Sequence, residues 1–518
     1  MDAKKGIFDK YMIISIVSLG AFLILFFYDI FKWVTGNDNG SYQLSDGRII
    51  FYILWACLSL ILLLEQKNHK IMYVWLFAIT IFAVVFIFLD VSYSPIDEAS
   101  HLDIIHYISV NHRYPTMYEN MDGEYLGRVI GYPVASYTRY EGVQMPLYYV
   151  IMGLITAAFP ENISIVYFLR CIGLLCLLLV VYIAKKALIL LENNGYISDS
   201  QYTNLVLLLV SGNPGIIIRF TRVSNESLAV LLATCVLYLA VRLLIEGYNG
   251  KVVFWGSVLS IALYYTKTTG MFAIGGIWFF LVYYKKWKQL VISLMTYVIA
   301  AIPWMMRCSK LYGTFTGLNK HMEFVIPIVN PDRIGYNLVV GAFKIFTSAF
   351  FLPAESGTQS QLMSYLHEFI GILFILIFVS YFVSELPNIF AYIKNKFNFI
   401  YTKEEKKNIL CIWAVVLILV DLVMLAYSTY TTKIDTMMGR YIYFLIIPLC
   451  VLVIKFLHDI NFNRQIAVVM ILFYSICFIN VSISYVNSVG EQKGVWVSSE
   501  EAYEEDNVFE SLEENIYV

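Results

Sequence analysis

The chain has 518 residues, of which 59% are hydrophobic, 16% aromatic and 14% charged, with a formal net charge of −2. That is far more apolar than a soluble protein of this length, and it holds no cluster of Lys and Arg fit to grip nucleic acid, so a polytopic membrane protein is expected. The eight cysteines, at 57, 171, 176, 235, 308, 411, 450 and 477, lie nearly all in apolar runs without a Cys-x-x-Cys pair. They point to neither a disulfide framework nor a thiol metal site.

In chain order, Lys4, Lys5 and Lys10 precede an apolar run too long for a signal-peptide core, which is expected to stay as an anchor. A spanning helix needs roughly 20 apolar residues. Runs approaching that length are 11–33, 47–64, 71–89, 164–184, 202–220, 226–245, 252–267, 271–284, 289–306, 365–384, 408–428, 439–457 and 465–486. The fold class expected is therefore all-α and polytopic, with about thirteen transmembrane helices. Placing Lys67, Lys70, Lys185, Lys186, Lys285, Lys286, Lys288 and the basic stretch 394–407 in the cytoplasm satisfies every short loop at once.

That topology puts the N-terminus inside and the Asp97 loop and the acidic tail outside, in the plasma membrane of a cell whose envelope lies beyond it. Parity then requires the apolar pieces 146–159 and 334–352 to lie at the outer face as interfacial or re-entrant helices. The organisation expected is an N-terminal transmembrane hairpin over 1–70 and a transmembrane module over 71–306 with a first outer loop at 90–161. An outer loop with a re-entrant or interfacial helix (307–364), a C-terminal transmembrane module (365–486) and an outer acidic tail (487–518) follow. The two large outer segments are expected to roof an extracytoplasmic cavity, and no internal repeat marks an inverted-repeat transporter.

Chemistry is sought first at Tyr93-Ser-Pro-Ile-Asp-Glu-Ala-Ser-His101, just past the run ending at Leu89. Asp97 is a general base or a metal ligand there, or else a loop acid capping the helix that follows. Its neighbour Glu98 cannot face the same point. His101 stands one helical turn on, while His101 and His106 are five apart and miss the i, i+4 spacing of two zinc ligands on one face. Arg219, Arg222, Asn225 and Glu226 occupy a hairpin tip, Lys267 a tight turn and Arg440 the start of a late span. Each cation alone suits an interface anchor. Together Arg222, Lys267 and Arg440 form a mixed set with Asp97 and Glu226 at one face, suited to a phosphate leaving group beside a reacting hydroxyl.

Ser94-Pro-Ile-Asp-Glu98, Gln144-Met-Pro-Leu-Tyr-Tyr149, Arg222-Val-Ser-Asn-Glu226, Thr266-Lys267 and Gly439-Arg-Tyr441, in that order and on one side, resemble the GT-C superfamily of integral membrane glycosyltransferases. The likeness is to bacterial members related to protein O-mannosyltransferases and lipid A aminoarabinose transferases, and it runs from about residue 71 to 457. It implies inverting transfer of a sugar from a polyprenyl-phosphate donor to a cell-envelope acceptor: a cell-wall glycopolymer, a lipid-linked glycan or a protein. By resemblance the 71–306 module is catalytic, Asp97 is the base, and Glu98 and Glu226 are acids of the same site. Arg222, Lys267 and Arg440 hold the donor phosphate, and His101, Gln144, Tyr148, Asn225 and Tyr441 line the cavity. The family's hairpin-tip Asp is Glu226 here, which leaves open a divalent cation held by Asp97 and Glu226.

Two other classes compete. A transporter or lipid flippase would carry ionisable groups in mid-span, where Asp421 is the clearest. A polymerase or ligase of lipid-linked cell-surface glycans would rely on outer-loop arginines without an acid pair in the first loop.

Overall fold

The computed structural model describes residues 97–130, 138–158, 163–197, 214–317, 361–394, 403–432 and 439–459, with a few isolated positions besides. At Asp97 the description covers the backbone alone. The expected spans at 11–33, 47–64 and 465–486, the interfacial piece 334–352 apart from the buried Ile345, and the acidic tail lie outside it.

Within these residues the architecture is helical, with one isolated antiparallel bridge between Asn120 and Thr138. The segment expected as the first outer loop folds as α1 (Asp97–Asn111), α2 (Gly123–Ile130), a 3-10 turn (Tyr140–Val143) and α3 (Leu147–Thr156). The bundle follows as α4 (Ser164–Asn193), α5 (Pro214–Phe220), α6 (Asn225–Glu246), α7 (Gly250–Tyr264), a 3-10 stretch (Thr268–Ile274), α8 (Gly275–Tyr283) and α9 (Trp287–Tyr312). Then come α10 (Gln361–Lys394), α11 (Lys403–Thr432), a 3-10 stretch (Gly439–Leu445) and α12 (Ile446–Asp459).

Six segments among the described residues are long and apolar enough to cross a membrane: Ser164–Asn193, Asn225–Glu246, Trp287–Tyr312, Gly371–Ala391, Asn408–Tyr430 and Gly439–Asp459. Their outward faces are themselves apolar. On α9, Val291, Ile292, Met295, Ile299 and Met306 are all exposed, a surface that suits hydrocarbon rather than water. The expected runs 252–267 and 271–284 give shorter helices. At 15 residues α7 is about 22 Å long, below the roughly 30 Å of a hydrocarbon core. It stops because the Thr266 and Lys267 amides both turn back to the Leu263 carbonyl.

At ten residues α3 is about 15 Å long and too short to span, as the interfacial reading of 146–159 requires. One side of it packs Tyr149 and Met152 against Leu102, Ile105 and Ile108 of α1, while Leu154 and Ile155 stay exposed. Gly153 allows this approach, because a side chain there would meet Ile108 and the Ile105 carbonyl.

The core is built around α6, which packs on α4, α7 and α8. Gly173 of α4 lets the α5–α6 tip lie directly on the helix, since a Cβ there would meet the Phe220 carbonyl. Contacts place the start of α1, the α5–α6 tip, the α7 turn and Arg440 at one end of the bundle. At the opposite end Lys286 stacks over Tyr248 and Tyr284 donates to the Leu243 and Leu244 carbonyls.

Candidate functional site

Three cations converge on one carboxylate at the loop-covered end. Ser224 caps α6, accepting from the Glu226 amide at 3.1 Å, so Glu226 stands in the first turn, where the helix dipole favours a negative charge. Lys267 Nζ donates to Glu226 Oε1 at 2.9 Å, Arg440 Nε lies 3.4 Å from the same oxygen, and Arg219 Nη1 lies 3.9 Å from the other. The four groups carry a surplus of positive charge and are partly open to solvent, the side chains being 11–24% exposed. Such a set suits an anion better than a divalent cation, which argues against a metal at Glu226.

Around it, Lys267 also donates to Asn225 Oδ1 at 3.4 Å, and Asn225 Nδ2 donates to the Thr266 carbonyl at 3.2 Å and to Gln144 Oε1 at 3.4 Å. Tyr441 offers its ring to Arg440 at 5.2 Å and to Lys267 at 6.0 Å. Gln144 is delivered by the segment joining the 3-10 turn to α3. That segment is pinned to the bundle by the Leu147 amide on the Tyr265 carbonyl at 2.8 Å and by Tyr114 on the Gln144 carbonyl at 2.8 Å. Burial drives the Tyr114 phenol well above its ordinary pKa range. Expected site residues Glu226, Lys267, Arg440, Asn225, Gln144 and Tyr441 are thus brought together, although they come from four separate stretches of chain.

The acid pair divides its roles. Asp97 opens α1, and the very next side chain, Glu98, turns into the protein, only 2% exposed. Arg170 of α4, fully buried, grips both Glu98 oxygens, Nε at 2.9 Å and Nη2 at 2.6 Å, and donates Nη1 to the Ile87 carbonyl at 2.8 Å. The Val223 amide adds a bond to Glu98 Oε1 at 2.7 Å. Glu98 is therefore engaged as the clamp tying α1, α4 and the α5–α6 tip together, an arrangement that leaves its oxygens satisfied within the protein. It sets where Asp97 emerges.

Two further expected residues point into packing. His101 Nδ1 bonds the Tyr149 hydroxyl at 2.7 Å, with the rings stacked at 5.7 Å. Tyr148 is buried beside it in the α1–α3 interface. Arg222 lies in the tip itself, between Arg219 and Glu226.

Arg219 joins the site although the sequence pattern assigns it no role there; its only signal is a position one turn before Arg222. Arg170, hidden in the apolar run of α4, and the buried pairing of Asp103 with Arg139, whose Nη2 donates to Asp103 Oδ1 at 3.0 Å, are not legible in the sequence either. Polar residues inside apolar runs carry a weak sequence signal whenever their partners are distant. Comparison with protein-family models, with curated proteins and with solved structures returns no match for this chain.

Proposed function

We propose that the chain is an inverting membrane glycosyltransferase of the GT-C kind, using a polyprenyl-phosphate sugar and acting at the extracytoplasmic face. The observation that carries this reading is the cation surplus of Lys267, Arg440 and Arg219 around Glu226, at the end of the bundle from which Asp97 emerges. In the reaction the acceptor oxygen bonds the anomeric carbon as the bond from that carbon to the phosphate oxygen breaks. The acceptor proton passes to Asp97 and the bonding pair leaves with the phosphate. The phosphate gains a negative charge on leaving, so fixed cations stabilise the transition state more than the bound donor. Glu226 acts as a positioning residue that holds Lys267 and Arg440 together against their mutual repulsion. Polar Asn225 and Gln144 are suited to the sugar.

The second reading, a transporter or flippase, is favoured by one observation. Asp421 lies in mid-span on α11, 1% exposed, and neither carboxyl oxygen has a hydrogen-bond partner among the described residues. Incubating the purified protein with a panel of radiolabelled polyprenyl-phosphate sugars separates the two. Release or transfer of sugar supports the enzyme; bilayer crossing of an intact lipid in proteoliposomes without release supports the transporter.

A further inference from the structure

A cleft lies away from the cation cluster, within the expected first outer loop. It encloses about 410 Å³ between the second half of α1, the 113–122 segment and Arg139. Its charges are mutually compensated. Arg113 Nη2 lies 3.2 Å from Glu119 Oε1, and Arg139, already paired with Asp103 beneath the floor, lies 3.4 Å from Glu119 Oε2. His106 is stacked flat on Tyr125, ring centroids 3.5 Å apart, with Nε2 3.7 Å from Asp122 Oδ2. An anionic ligand gains nothing from such a lining, in contrast to the surplus at Glu226.

What remains on offer is neutral hydrogen bonding. Asp122 is 44% exposed and spends one oxygen capping α2, where the Tyr125 amide donates to Oδ1 at 2.9 Å. Asn111 uses its amide NH₂ on the Tyr107 carbonyl at 3.0 Å, leaving its oxygen, and the Asn120 side chain also lines the cleft. Tyr107 also lines the cleft, with the Arg139 and Arg113 guanidinium groups over its ring at 4.4 and 5.3 Å from the centroid. Planar carboxylate and amide oxygens that accept from paired hydroxyls are the chemistry of a carbohydrate subsite. A peptide is poorly served, because Val110 is the sole aliphatic side chain among the lining residues described.

We infer that this cleft binds a neutral, hydroxyl-rich glycan, the acceptor chain of the reaction. The inference rests on the glycosyltransferase reading only for the word acceptor; glycan binding itself stands apart from it. The test is equilibrium binding of the detergent-purified full chain, without donor, to an array of neutral and acidic oligosaccharides and unmodified peptides. Hits are repeated with the same glycan carried on a polyprenyl pyrophosphate in nanodiscs. Asp122→Asn keeps the helix cap, because Asn caps as well as Asp, yet weakens the acceptor oxygens. Asn111→Ala is the second variant, on a different wall.

The expected result is that neutral oligosaccharides bind and that each variant weakens them at least tenfold with an unchanged melting temperature. If the lipid-linked form is also weakened, the acceptor is lipid-linked; if only the free form is, it is a free polymer. No glycan binding, peptide binding in its place, or affinity indifferent to both variants overturns the inference. Failure of the transferase reading appears separately, as absence of donor turnover in a chain that still binds glycan.

Discussion

Replacing Lys267 by Gln tests the donor-phosphate site most directly. Lys267 is the nearest cation to Glu226, at 2.9 Å, and both side chains are only 11–13% exposed. In the free protein Glu226 keeps Arg440 at 3.4 Å and Arg219 at 3.9 Å, so removing one cation leaves the carboxylate paired. Stability should fall by about 1.5–3 kcal/mol, the scale of one hydrogen bond to a charged group, with the fold retained because two cations still face Glu226. The donor phosphate is in a different position. A cation about 4 Å from a phosphate at an effective dielectric near 20 contributes about 4 kcal/mol of gross attraction. After desolvation a charged hydrogen bond retains about 1.5–3 kcal/mol. That corresponds to roughly a 10- to 100-fold weaker donor.

Donor affinity is measured by scintillation proximity with a radiolabelled polyprenyl-phosphate sugar, at two salt concentrations, alongside the melting temperature. The variant should show the weaker binding and a shallower salt dependence. Unchanged donor affinity in a protein that keeps its fold refutes the phosphate role, and a collapse of melting temperature with intact affinity makes Lys267 a helix anchor.

The acid pair should separate cleanly: Asp97→Asn should lower transfer by about 10²-fold or more with donor binding retained, the scale of a lost general base. Glu98→Gln should act on stability instead, because buried Arg170 would lose the Glu98 charge it is paired with; a loss of about 3–5 kcal/mol in denaturant unfolding is expected, and wild-type stability would discount the clamp. Gly173→Val should displace the α5–α6 tip from α4 and lower melting temperature and donor affinity together, whereas an unaltered protein would mean the tip does not rest on α4. On sidedness, single cysteines at Ser94, Thr268 and Ser499 in a cysteine-free background should react with an impermeant maleimide in intact cells, and labelling only after lysis would reverse the orientation.

Local pattern alone placed the helices that matter. Hydropathy located α6 and the Asn408–Tyr430 and Gly439–Asp459 spans to within a few residues, and the starts of α4 and α9, which run on past their apolar runs to Asn193 and Tyr312, because a backbone in hydrocarbon must satisfy its own hydrogen bonds and an apolar run of sufficient length can do so only as a helix. The gathering of Glu226, Lys267 and Arg440 at one end was also legible, since loop charge and span parity are one-dimensional properties. Partner choice was not. Adjacent residues on a helix diverge by about 100°, so the order Asp97-Glu98 says that one turns inward without saying which. That was decided by Arg170, 72 positions away, whose position in an apolar run conceals its purpose. Likewise only the packed bundle selected Arg219 as a third cation, shortened α7 at the Leu263 carbonyl and folded the segment between Asp97 and Thr156 around a charge-compensated cleft, because these outcomes depend on distances between segments that no local pattern encodes.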